Sequence, residues 1–131
     1  MNATRDKPNV DREERVVVVD RLANVRSALF LILSQEPAIS IVGDRASVDG
    51  LPEYLLDVQA TILLLDWTLT GDDGANLLCK IRAACPGLLI IALSPRPEDH
   101  RVSERAGANA FVCKGDEPDM LLNLIRGLVR R

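Results

Sequence analysis

Four apolar runs of this chain each stop on a residue that can do chemistry. Val16-Val17-Val18-Val19 ends on Asp20, and Ile62-Leu63-Leu64-Leu65 ends on Asp66. Leu88–Leu93 ends on Ser94, and Ala110-Phe111-Val112-Cys113 ends on Lys114. In a parallel α/β sheet, ligands and reactive groups collect beyond the carboxyl ends of the strands. Two carboxylates, a hydroxyl and an ammonium at one sheet edge therefore describe a site.

The elements that must position them alternate with little between. Strands are expected at Arg15–Val19, Ile39–Gly43, Thr61–Leu65, Leu88–Leu93 and Asn109–Cys113. Between them, Leu22–Gln35 carries apolar residues at Leu22, Val25, Leu29, Ile32 and Leu33, the spacing of one helical face. Ser47 is suited to cap a second helix running to about Gln59. A third helix follows the Gly71-Asp72-Asp73-Gly74 turn, with Leu77, Leu78 and Ile81 inward, and stops at Pro86-Gly87. Glu98–Ala106 reads as a short polar helix, and Pro118 opens a last one with the stripe Leu121, Leu124, Ile125 and Leu128. Five strands alternating with five helices predict a doubly wound parallel sheet covered on both faces, in strand order 2-1-3-4-5. That order makes Asp20 and Asp66 neighbours.

The chain has 131 residues, 47% of them hydrophobic, enough for one domain with a core of its own. Residues 1–14 are polar and are read as a loose tail before a domain spanning 15–131. A net charge of -3 with interspersed signs gives no nucleic-acid-binding face. No apolar run approaches a membrane span, and the first residues lack the core of a secretory signal. The three cysteines (Cys79, Cys85, Cys113) lack metal-ligand spacing and read as buried or half-buried thiols of a reducing cytoplasm.

With these residues in this order, the chain resembles a response-regulator receiver domain of two-component signalling, the CheY-like fold, from about Arg15 to Leu128. Asp66 matches the family's phosphoacceptor and is followed by the Gly71-x-x-Gly74 turn. Ser94 matches the Ser/Thr switch residue, Lys114 the lysine, and Phe111 the aromatic switch position. The resemblance implies a phosphoprotein acting through protein contacts, not an enzyme. Its partners would be a histidine kinase or another signalling protein and an output partner on the face at residues 98–128, or a second copy in a homodimer. It implies a Mg2+ site at Asp20, Asp66 and the backbone carbonyl of Thr68.

One departure matters. The family places two acidic residues after strand one, and here the pair is Asp20-Arg21. Asp20 and Asp66 against Arg21 and Lys114 would bring the pocket's formal charge to about zero. A guanidinium ~4 Å from the metal would oppose a cation by roughly a few kcal/mol per unit charge at an effective dielectric of about 20. Arg21 has two courses: to fold inward and pair with Asp66 or Asp20, or to swing into solvent and leave a weakened working site. The expectation is an atypical receiver in which Mg2+ binding and phosphorylation are impaired. The opposing reading is an ordinary Mg2+-dependent receiver, with Arg21 even stabilising a phosphorylated Asp66.

Trp67 is placed at the pocket rim, with core packing as the plainer reading. His100, the lone histidine, has no partner at catalytic spacing and is read as a solvated helix residue. Asp66-Trp67-Thr68 also resembles the Asp-x-Thr motif of haloacid-dehalogenase-type phosphatases. Asp116 and Glu117, however, belong to a helix start rather than to the later strand-end pair those enzymes need. A flavin-binding module would want a glycine-rich phosphate loop, and Arg21-Leu22-Ala23-Asn24 has no glycine.

Overall fold

In the computed structural model, which describes residues 13–129, all four apolar runs lie in one five-stranded sheet. The strands are β1 (Glu14–Val19), β2 (Ile39–Arg45), β3 (Ile62–Asp66), β4 (Leu89–Ser94) and β5 (Ala110–Cys113). They are parallel and ordered β2-β1-β3-β4-β5. The helices are α1 (Ala23–Leu33), α2 (Leu51–Asp57), α3 (Gly74–Ala84), α4 (Asp99–Ala106) and α5 (Pro118–Val129).

Alternate residues of the central strands feed two separate cores, as side chains on a strand must. Val17, Val19, Leu63 and Leu65 pack with Leu51, Leu55, Leu78 and Ile81 of α2 and α3. Val16, Val18, Ile62 and Leu64 pack with Leu29 and Leu33 of α1 and Leu121, Leu122 and Ile125 of α5. Burial on both faces is why β3 has no polar alternation. Each fully buried Leu or Ile there contributes about 1.5–3 kcal/mol.

Register then sets the site. Val19 pairs with Leu65, so Asp20 and Asp66 leave adjacent strands side by side. Asp66 pairs with Leu93 and Ser94 with Cys113, which brings Ser94 and Lys114 to the same edge.

Several boundaries differ from expectation. Glu14 is the first residue of β1, not the end of a tail; residues 1–12 lie outside the described part. The second helix starts at Leu51 rather than after Ser47. Gly50 precedes it in a left-handed conformation (φ 63°), and Pro52 in the first turn sets the entry. Leu22 stands before α1 and is exposed rather than on its buried face. β2 runs two residues past Gly43 because Arg45 still pairs with Val19. Among the described residues, no helix is long and apolar enough to cross a membrane.

Candidate functional site

Asp20 and Asp66 are both fully buried. Each uses one carboxylate oxygen to close its own turn. Asp20 Oδ1 accepts from the Leu22 amide (3.0 Å), and Asp66 Oδ1 accepts from the Thr68 amide (3.0 Å) and the Thr68 hydroxyl (2.7 Å). The outer oxygens converge on one cation: Lys114 Nζ lies 2.7 Å from Asp20 Oδ2 and 3.4 Å from Asp66 Oδ2. Neither Oδ2 receives a well-aligned hydrogen bond from any group, so both retain acceptor capacity inside the protein.

Arg26 supports this arrangement from α1. Its Nη1 donates to the Asp20 carbonyl (2.7 Å), and its Nε pairs with Asp44 of β2 (3.1 Å). The Lys114 amide donates to the Ser94 carbonyl (2.9 Å), which ties the β5 exit to the β4 exit.

Arg21 is not in the pocket. It is exposed, and no ion pair joins it to Asp20 or Asp66. Of its two courses, the outward one is taken. Lys114 already occupies the space between the carboxylates, and a guanidinium entering it would meet a like charge. The expected charge balance near zero is corrected accordingly: two buried carboxylates face one ammonium, and the pocket is formally negative.

Ser94 reaches the same edge, but its hydroxyl is engaged elsewhere. It donates to Asp99 Oδ2 (2.7 Å) and accepts from the Arg96 amide (3.1 Å). Phe111 is half-buried and stacks on His100, ring centroids 5.0 Å apart and the planes nearly parallel at 10°. His100, exposed as expected, also meets Glu104 at 3.1 Å. Trp67 belongs to the core rather than the rim: it is 5% exposed and packs against Gly74. Asp116 and Glu117 lie in the loop before α5. Cys79 is exposed, not buried.

Two residues of this edge were not singled out from sequence, Arg26 and Asp99. Asp99 had a readable signal, an acid in the first turn of α4 five residues after Ser94. Arg26 was legible only as a register marker after the first strand; its link to the Asp20 carbonyl depends on the β1–α1 path.

Among the described residues, no group of three His, Cys, Asp or Glu side chains gathers to hold a metal. The outer oxygens of Asp20 and Asp66 are donors of the type Mg2+ takes, a carboxylate or two with waters, and Lys114 is the cation that lies against them in this structure.

No protein-family model matches the chain. Sequence relatives and solved structures do. The chain is 36% identical over 109 residues to the protein-glutamate methylesterase/protein-glutamine glutaminase of Symbiobacterium thermophilum, covering 80% of this chain and 30% of that protein. It is 23% identical over 112 residues to the nitrate/nitrite response regulator protein NarL of Escherichia coli, covering 84% and 52%. Two solved structures share its fold. One is the isolated receiver domain of RcsB from Salmonella enterica serovar Typhimurium with the phosphomimetic BeF3-, at TM-score 0.80 and 23% identity over 91% of this chain and 90% of that one. The other is the response regulator domain of Thermotoga maritima CheB, at TM-score 0.75 and 22% identity over 88% and 96%. The fold is thus the CheY-like receiver fold. In sequence and fold the chain is similar to the receiver domains of response regulators. It spans about half or less of the curated relatives described here.

Proposed function

We propose that this receiver is a phosphorylation switch in which Asp66 accepts the phosphoryl group, and that it runs with a weakened Mg2+ site. The observation that carries the reading is the pair of buried outer oxygens, Asp20 Oδ2 and Asp66 Oδ2, converging on Lys114. A carboxylate whose inner oxygen is fixed by two Thr68 hydrogen bonds presents its outer oxygen in one orientation, which favours attack on a positioned phosphoryl donor. Lys114 neutralises charge on the transferred group. Asp20, Asp66 and the Thr68 carbonyl would hold Mg2+, which supplies further charge neutralisation when bound.

Arg21 stands where a second acid would add a ligand. Lacking that ligand, the site binds the cation more weakly. The outward position of Arg21 favours a site that still works over one that is blocked. Signal output then passes to a protein partner through the face at residues 98–128, with a histidine kinase or a similar signalling protein upstream.

Trp67, adjacent to Asp66, is the natural reporter. Titrating Mg2+ and following its fluorescence should show wild-type saturation only in the millimolar range, with Arg21→Asp saturating at about tenfold lower concentration. Equal affinities would overturn the weakened-site reading and favour an ordinary receiver.

A further inference from the structure

A hydroxyl has a single proton to give. The Ser94 proton is committed to Asp99 Oδ2 at 2.7 Å, while its oxygen accepts from the Arg96 amide. Asp99 is 8% exposed and also faces Arg96 Nε at 3.5 Å. In this state Ser94 has no proton left for a phosphoryl oxygen on Asp66. The bond to Asp99 is charge-assisted, among the stronger hydrogen bonds a protein makes.

The same turn of α4 engages a second residue of interest. His100, next to Asp99, stacks on Phe111. The helix that carries both has little apolar anchoring. Its buried residues are Asp99 and Ser103, both polar, and Val102 is 54% exposed. A helix seated by polar contacts moves when those contacts exchange partners.

We propose that Asp99 is a positioning residue that latches the Ser94 hydroxyl away from Asp66, so that phosphorylation and release of the first turn of α4 are one coupled event. The inference rests on reading Asp66 as the phosphoacceptor and deepens it. Phosphoryl oxygens on Asp66 compete with the Asp99 carboxylate for one proton. When Ser94 turns to the phosphoryl group, Asp99 loses its main internal partner, and the Asp99-His100 turn can move with Phe111. Because Asp99 disfavours the active arrangement, its removal makes the switch easier to turn on.

The test uses the full chain and two readouts. The first is amide hydrogen exchange across residues 95–106 without any phosphodonor, in wild type, Asp99→Ala, Ser94→Ala and the double variant. Leaving aside the Arg96 amide, which Ser94 also holds, each single variant should raise exchange about tenfold, and the double variant should fall well short of the two effects combined, since both remove the Ser94–Asp99 bond. The second is the beryllofluoride concentration that half-saturates the Trp67 signal with Mg2+ present. It should fall about tenfold in Asp99→Ala, but Asp99→Ala should have no effect in the Ser94→Ala background. Ser103→Ala alters α4 without freeing Ser94, because the Ser103 hydroxyl bonds the His100 carbonyl in its own helix; it should leave beryllofluoride binding unchanged. Additive exchange effects, or an equal shift from Ser103→Ala, would overturn the latch. Coupled exchange effects with no beryllofluoride response in any protein would support the latch and overturn the assignment of Asp66.

Discussion

Lys114 stands nearer to Asp20 than to Asp66, 2.7 Å against 3.4 Å. One ammonium thus holds two buried carboxylates, and the more distant one keeps the freer oxygen. Removing the cation leaves both acids uncompensated in a low-dielectric edge. Lys114→Met is expected to lower stability by about 3 kcal/mol. Urea unfolding checks this, and adding Asp20→Asn should recover part of the loss because only one carboxylate then remains.

Gly74, at the start of α3, gives room to the indole of Trp67. A β-carbon there would lie 2.6 Å from the ring, and Trp67 is held in place by the core around it. Gly74→Ala is expected to cost about 1–3 kcal/mol through overpacking. It should also shift Trp67 emission, and thermal unfolding and fluorescence together distinguish this from a simple helix effect.

Arg82 is a half-buried cation whose acceptors are neutral. It donates to the Leu88 and Gly107 carbonyls and to Asn109 Oδ1, joining α3 to the entrances of β4 and β5. Burial pushes its pKa below the usual arginine value. Arg82→Ala leaves those acceptors short of donors and is expected to cost ~2 kcal/mol, read by denaturant midpoint. Lysine in its place should recover little, lacking the fork that spans three acceptors.

The cysteines should separate by rate. Cys79 is exposed, whereas Cys85 is half-buried and burial pushes its thiol pKa up. A raised pKa means less thiolate at a given pH, and the thiolate is the reacting form. Alkylation at mildly alkaline pH followed by peptide mapping should find Cys79 labelled well before Cys85, with the gap narrowing as pH rises.

The sheet was legible because its strands are buried on both faces. Val16–Val19 and Ile62–Leu65 contain no polar residue, and each run ends on the carboxylate that the strand exit carries. Strand order followed from alternation and crossover handedness, and it placed Asp20 beside Asp66. Local departures came where backbone geometry overrode residue preference, as at Gly50, which moved the start of α2 past Ser47. What sequence could not supply was side-chain direction. Nothing in Asp20-Arg21 says that the arginine is exposed while Lys114, from the far end of the sheet's chain order, fills the space. Nor does the spacing of Ser94 and Asp99 reveal that the serine donates its proton to the aspartate. Those outcomes depend on competition among charges at one edge, which only the folded chain sets.

The most direct measurement is to expose the protein to a small phosphodonor with Mg2+, trap the acyl phosphate and map it by mass spectrometry. A phosphoryl group on Asp66, formed more slowly than in Arg21→Asp and lost in Asp66→Asn, is the predicted result. Labelling at another residue, or an Arg21→Asp rate no faster than wild type, would contradict a switch built on Asp66 with a weakened cation site.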